Sequence, residues 1–346
     1  MDIAVTVIIS ILVFGFLILI HELGHYIFAR IFKVTILEFS IGMGPKLIEY
    51  RSKKTNINYA ISAIPFGGYV AMAGEDSESD DPNSFDKKPA WQRFIITIAG
   101  ASVNIIAGFL AMVIYTSITV VGGTEIYDFP PTEYEISSQD SGLMPGDVIT
   151  HVDGKRVYIS DELSYEIMRR GTEPLDITVI RNGKSEVIED VVFPTTVSSG
   201  QTFGMLDFRI LGVSKKTVGE VIRQSWHKSV LIIRMCWESI FDLIVGRYTV
   251  DAVSGPVGIS GAIGDAARAG GSQLLYITTL ISINLGVMNL LPIPALDGGR
   301  MIAILVEMIT KKRIPAKIEQ RINAIGLAIL LLLSLVIMVK DVINLF

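Results

Sequence analysis

The feature that most constrains this chain is an apolar run that ends abruptly in ionisable residues. Phe14-Gly15-Phe16-Leu17-Ile18-Leu19-Ile20 leads straight into His21-Glu22-Leu23-Gly24-His25. The run is greasy enough to enter a bilayer, where imidazole and carboxylate are expensive, so an intramembrane site is the default expectation. On a helix, residues four apart stack on one face, so His21 and His25 can grip one metal ion. Glu22 then lies beside that ion, where a carboxylate can take a proton from water. The competing reading is an amphipathic helix end whose two histidines face solvent.

The spacing is the HExxH arrangement of zinc hydrolases. Composition agrees with a membrane setting: half of the 346 residues are hydrophobic and the mean hydropathy is +0.50, which argues for several spans. The net charge of −5 is mild and no basic run points to nucleic acid. Cys236 is the only cysteine, which excludes an intrachain disulfide and a cysteine zinc cluster. Histidine is scarce: besides His21 and His25 there are only His151, expected at a surface, and His227. The N-terminus resembles a signal sequence only superficially. Asp2 and no Lys or Arg precede a long apolar run without a small-x-small site, so a retained transmembrane helix is expected.

The first span is expected over residues 3–28. Residues 35–50 and 56–70 contain β-branched and alternating stretches broken by Gly42, Gly44 and Pro45, and by Pro65, Gly67 and Gly68. They predict short strands or hairpins that return toward the membrane. Such backbone sits at bilayer depth only if protein covers it or it lines a wet cavity. Residues 75–86 are acidic and serine-bearing and predict a loop. The second span is expected over residues 94–121. Its Gly100, Ala101, Ser102, Ala107 and Gly108 suit close helix packing, and Asn104 is either interhelical glue or part of the site.

Residues 127–194 change character. Turns are expected at Pro145-Gly146, Asp153-Gly154 and Asn182-Gly183, the last within a hairpin. Ser160 is the expected cap of a helix closed by Arg169, Arg170 and Gly171. This order, and Gly142-Leu143-Met144-Pro145-Gly146-Asp147-Val148-Ile149 in particular, resembles a PDZ domain. That resemblance implies binding of an extended peptide at a sheet edge; a plain spacer is the alternative. Residues 218–250 are apolar but carry Arg223, His227, Lys228, Arg234, Glu238 and Asp242, so a helix lying on the membrane surface is expected. Residues 254–259 read as a turn. A third span starts near Leu274 and ends in Asn289-Leu290-Leu291-Pro292-Ile293-Pro294-Ala295-Leu296-Asp297-Gly298-Gly299. There the prolines unwind the helix, and Asp297 is either a helix-capping carboxylate or a ligand. A fourth span is expected over residues 322–339.

Basic residues crowd the segments after spans one and three, which places both in the cytoplasm. Spans one and three then run in the same direction. His21, His25 and Asp297 consequently fall at similar depth, toward the cytoplasmic side. Two helical histidines and a distant carboxylate leave one zinc position open for water.

The HELGH run, the NLLPIPALDG run and a PDZ-like insert between spans two and three together resemble the site-2 protease family, most closely its regulator-of-sigma-E group of intramembrane zinc metalloproteases. The likeness covers nearly the whole chain and includes residues 39–45, 64–72 and 254–259. One departure is visible: the family's Gly-Pro-x-x-Asn stands here as Gly100-Ala101-Ser102-Val103-Asn104. The resemblance implies zinc held by His21, His25 and Asp297, with Glu22 as the catalytic carboxylate. It implies substrate contacts from Asn104, Asn289 and the Gly67-Gly68-Tyr69 stretch of a membrane-reentrant β element. The expected fold is a polytopic α-helical membrane protein with four transmembrane helices, that reentrant element and one α+β PDZ-like domain. The expected divisions are 1–121, 122–200, 201–260 and 261–346. The implied partners are membrane-spanning protein substrates and the lipid bilayer of a bacterial cell (inner) membrane, with the PDZ-like domain extracytoplasmic. The implied substrates are single-span proteins already trimmed outside, such as anti-sigma factors or signal-peptide remnants. A metal transporter and a membrane scaffold with a degenerate site are the rival classes. Glu22 discriminates the first and metal content the second.

Overall fold

The computed structural model describes residues 3–75, 78–131, 137–198, 201–212, 216–247 and 254–343, with side chains at all of these except 65, 66 and 316. Residues 76–77 of the expected acidic loop, 132–136 of the expected soluble segment, and 213–215 and 248–253 of the expected amphipathic helix and linker lie outside the described residues. The element order is α1 (Ile3–Ile31), β1 (Ile36–Arg51), β2 (Asn58–Met72), α2 (Ala90–Ile118), β3 (Gly122–Asp128), β4 (Val148–Val152), β5 (Lys155–Arg156), α3 (Ser160–Arg170), β6 (Leu175–Arg181) and β7 (Lys184–Val191). There follow β8 (Thr195–Ser198), β9 (Gln201–Gly204), β10 (Arg209–Gly212), α4 (Val218–Ile244), α5 (Pro256–Ala269), α6 (Gly271–Asn289), α7 (Asp297–Thr310) and α8 (Ala316–Ile343). Among the described residues four helices, α1, α2, α6 and α8, are long and apolar enough to cross a membrane. With its β sheets the chain is thus a multi-pass membrane protein of mixed secondary structure.

The chain forms two compact units, Met1–Ala111 with Cys236–Phe346, and Met112–Met235. In the first, β1 and β2 are long, bent strands rather than short hairpins. Residues 38–41 sit opposite 58–61 and also opposite 68–71, while residues 46–51 pair with 58–62. Two strands therefore make a sheet of four arms. The bends fall where Gly42 and Gly44 (both φ 85°) and Gly67 (φ 95°) adopt left-handed backbone. Residues 68–72 form one edge of this sheet. Val70 and Met72 anchor it in a core with Ala29, Ile36, Ile96 and Ile304, and the Tyr26 hydroxyl of α1 meets the Tyr59 hydroxyl at 2.8 Å. Helix α6 is tied to α2 by the Ser282 hydroxyl, which donates to the Asn104 carbonyl at 2.8 Å, a bond suited to helix contacts in lipid.

Residues 254–259 do not form the expected turn. Pro256 opens α5 at its first position, where its fixed φ suits a helix and its missing N–H costs nothing. The orphan amides of Gly255 and Gly258 donate to Asp341 Oδ2 on α8, each at 2.9 Å. This buried carboxylate caps a helix distant in sequence. Asp341→Ala is expected to lower stability by about 1–2 kcal/mol, the usual worth of a lost helix cap. Denaturant titration of the purified protein in detergent measures this, and an unchanged midpoint would count against the cap.

In the second unit a six-stranded sheet runs β10-β3-β4-β6-β7, with β5 on β4. Ile126, Leu143, Ile149, Leu163, Ile177 and Phe193 fill its core together with α3. The pairing of β10 with β3 carries this sheet past residue 200. The Asn182-Gly183 turn (φ 52° and 78°) joins β6 to β7 with Arg181 opposite Lys184, the two-residue geometry that twisted strands favour. Asp147 is buried and holds the Arg181 guanidinium by two bonds of 2.7 and 2.8 Å.

Two sequence expectations are corrected here. Ser160 is the first residue of α3 rather than its cap: Ile159 occupies the cap position without a side-chain bond, and the Glu162 carboxylate accepts from the Tyr158 N–H at 2.7 Å instead. The basic residues of α4 do not all face solvent or headgroups. His227 pairs with Glu162 at 3.1 Å, Arg234 with Glu166 at 2.6 Å, and Lys228 with Asp161. The acidic face of α3 takes them up. Other residues of α4, including Ile222, Trp226, Trp237 and Phe241, remain exposed.

Candidate metal centre

Helix α1 continues without a break through residues 21–25, so His21 and His25 stand one turn apart with Nε2 atoms 3.2 Å from each other. Asp297, the first residue of α7, brings its Oδ2 to 3.1 Å from His21 Nε2 and 3.3 Å from His25 Nε2. One potential ligand atom from each residue lies within 4.8 Å of the others. Helix α6 stops at Asn289, and the Pro292–Pro294 stretch redirects the chain so that α7 begins at this point. The sequence reading did not anticipate α7 as a separate helix.

Protonation decides what this cluster can do. The His25 Nδ1 lies 2.8 Å from the Ile96 carbonyl, which can only accept, so Nδ1 carries a proton, and in the neutral ring Nε2 presents a lone pair. The buried Asp297 Oδ2 meets no donor among the described residues other than the two imidazoles. Electron-rich atoms at 3.1–3.3 Å repel unless a proton or a cation lies among them. Imidazole and carboxylate are the donor types that suit zinc, so the residues present fit that ion.

The trio opens on a cavity of about 390 Å³, also lined by Glu22, Tyr69, Val70, Ala71 and Met72. That volume holds several waters, at roughly 30 Å³ each, or a short stretch of peptide. The edge arm, residues 68–72, has one ladder partner among the described residues, residues 36–41, and its Tyr69, Val70, Ala71 and Met72 line this cavity. A Cβ added to Gly68 would lie 3.3 Å from Glu22 Cγ, so this glycine packs directly on the Glu22 side chain. Tyr69 lines the cavity and donates its hydroxyl to Glu38 at 2.5 Å.

The remaining candidates stand elsewhere. Gly67 sits at a bend of β2 against Met43. Asn104 is fully buried, with its amide nitrogen 3.5 Å from His21 Nδ1. Asn289 ends α6. None of these three is among the residues lining the cavity. Sequence reasoning missed Glu75, Ile96, Thr97 and Arg300, which do line it. For Arg300 a signal existed, since it follows Asp297 by three residues, one helical turn.

A family model described as peptidase family M50 matches residues 9–333. A candidate zinc metalloprotease of Clostridium acetobutylicum is 36% identical over 97% of this chain and 97% of its own length. A candidate zinc metalloprotease of Fusobacterium nucleatum is 33% identical over 99% of both chains. A candidate chloroplastic membrane metalloprotease of Arabidopsis thaliana is 31% identical over 95% of this chain and 78% of its own.

Proposed function

The chain belongs to peptidase family M50 and is a zinc metalloprotease, and we propose that His21, His25 and Asp297 hold its zinc while Glu22 is its general base. The observation that carries this reading is the close approach of three lone-pair-bearing atoms, 3.1–3.3 Å apart, in a cavity shared with Glu22. Bound zinc supplies Lewis acidity: it polarises a carbonyl oxygen and makes water acidic enough to ionise near pH ~7. Glu22 takes the proton as the water oxygen attacks the scissile carbonyl carbon, and delivers it to the amine nitrogen as the C–N bond breaks. Asn104 steadies His21. A half-turn of its amide aims the oxygen at a protonated Nδ1, the tautomer that leaves Nε2 for the ion.

The substrate we propose is the transmembrane segment of a single-span protein, cleaved after extracytoplasmic trimming, as anti-sigma factors and signal-peptide remnants would be in regulated intramembrane proteolysis. A helix hides its peptide bonds, so such a segment must unwind, and its freed backbone needs partners in lipid. The edge arm at residues 68–72 offers them by strand addition beside Glu22. In this reading β1 and β2 form a membrane-reentrant element. Gly67 supplies its bend, Gly68 and Tyr69 meet the substrate, and Asn289 holds the unwound chain as it enters. The segment 122–200 is a PDZ-like extracytoplasmic domain acting as a peptide dock or size filter, and the catalytic cavity opens toward the cytoplasmic side of a bacterial inner membrane. The divisions 1–121, 201–260 and 261–346 then hold the first span pair, the amphipathic helix and the second span pair.

The test is cleavage of a trimmed single-span model substrate by the detergent-purified protein. Cleavage is expected to stop with a chelator and return when zinc is restored. Chelator-resistant cleavage, or no cleavage of any trimmed substrate, would overturn the reading.

A further inference from the structure

We propose that Arg300, acting through Glu75, is a positioning residue that ties the cavity-facing edge of the sheet to the helix bearing Asp297. The inference rests on Asp297 being a zinc ligand and adds what holds it in place.

The start of α7 is poorly fixed by its own residues. Leu296 at the cap position has no side-chain acceptor, and Ala295 before it is left-handed (φ 73°), a conformation unfavourable for a residue with a Cβ. Apart from the two imidazoles, no donor among the described residues holds Asp297 Oδ2 in place. A carboxylate needed at one point in space must therefore be held by what anchors the first turn of α7. Arg300 lies in that turn. Its guanidinium pairs with Glu75 Oε1 and stands 3.5 Å from Glu319 Oε1 on α8. The second Glu75 oxygen accepts the N–H of Met72, the last residue of the edge arm, at 3.3 Å. One acidic side chain thus joins the strand end to α7, and one basic side chain carries the link on to α8.

Position and burial make the link consequential. Arg300 and Glu75 line the metal cavity together with His21, Glu22 and Asp297. They also line a neighbouring polar cavity of about 200 Å³ with Arg313, Glu319 and Asn323, so the pair stands between two wet spaces. Their side chains are only 21% and 19% exposed, which limits the screening that weakens surface pairs. A fork-shaped guanidinium sets both direction and distance, which an ammonium cannot do as well.

The experiment measures zinc affinity of the full-length protein in detergent by competition with a chromophoric zinc chelator. Arg300→Gln and Glu75→Gln are each expected to weaken affinity by about 10- to 100-fold, the range for groups that orient ligands. The double variant is expected to be no weaker than either single one, because both break the same link. The charge-reversed pair, Arg300→Glu with Glu75→Arg, is expected to recover part of the loss. Arg93→Gln is the control for general loosening of α7. It breaks the buried 2.5 Å Arg93–Glu307 pair near the other end of that helix and is expected to leave zinc affinity within about twofold. Unchanged affinity in the Arg300 and Glu75 variants, or an equal loss in Arg93→Gln, overturns the proposal. Undiminished affinity in Asp297→Ala instead overturns the ligand assignment beneath it.

Discussion

Glu22→Gln is expected to retain one zinc per chain and to lose cleavage by about 10²- to 10⁴-fold, the contribution typical of a positioned general base. The amide has nearly the shape of the carboxylate, so the packing of this side chain against Gly68 survives. Zinc content survives because the converging ligand atoms come from His21, His25 and Asp297. What the amide cannot do is accept a proton from water and return it to the departing amine. The measurement pairs zinc content by elemental analysis with the initial rate on a trimmed single-span substrate. A variant that keeps its zinc and cleaves at the wild-type rate would remove Glu22 from the mechanism. Loss of zinc together with activity would make Glu22 a ligand. The same substitution separates a protease from a metal transporter, whose ion passage has no need of a base at this position.

How far the site was legible depends on how local its determinants are. HExxH is a property of one helix, so His21, Glu22 and His25 could be placed from spacing alone, and α1 carries them as expected. The four apolar helices were equally legible, because hydrophobic length needs no tertiary information. The four-armed sheet was not. The glycines marked bends correctly, but which arms pair is set by contacts between residues as far apart as Ile36 and Met72. The Pro256 error has a similar origin. A Ser-Gly-Pro run is a turn or a helix start depending on whether an acceptor for the first amides exists, and that acceptor is Asp341, more than eighty residues away. The charges of α4 misled for the same reason. From the sequence His227, Lys228 and Arg234 argued for a helix lying on the membrane surface, whereas in the structure they pair with carboxylates of α3.

Gly100→Ala is expected to reduce zinc affinity by at least about 100-fold and to take proteolysis with it, although Gly100 offers no ligand atom. A Cβ built on this residue lies 2.4 Å from His25 Nε2 and 2.8 Å from both Cε1 and Nε2 of His21. The methyl would therefore occupy the space beside the very nitrogens that must approach the ion to about 2.0–2.1 Å. Neither imidazole has an easy retreat. His25 is held through Nδ1 by the Ile96 carbonyl at 2.8 Å, and His21 is only 9% exposed. Nor can α1 readily move as a whole, since Gly24 packs on the Ala99 carbonyl with no room for even a Cβ. The substitution has one further virtue as a test. Alanine favours a helix interior over glycine by about 1 kcal/mol, which offsets part of the roughly 1–3 kcal/mol that overpacking costs, so the metal site loses its geometry with little net change in the fold. Loss of zinc with a metal-free denaturation midpoint close to the wild type's is the expected pair of results, read by metal competition and by denaturant titration of the metal-free proteins. Wild-type zinc affinity in this variant would mean that the imidazoles do not meet the ion from the side of α2, and the assignment of His21 and His25 as its ligands would fail with it.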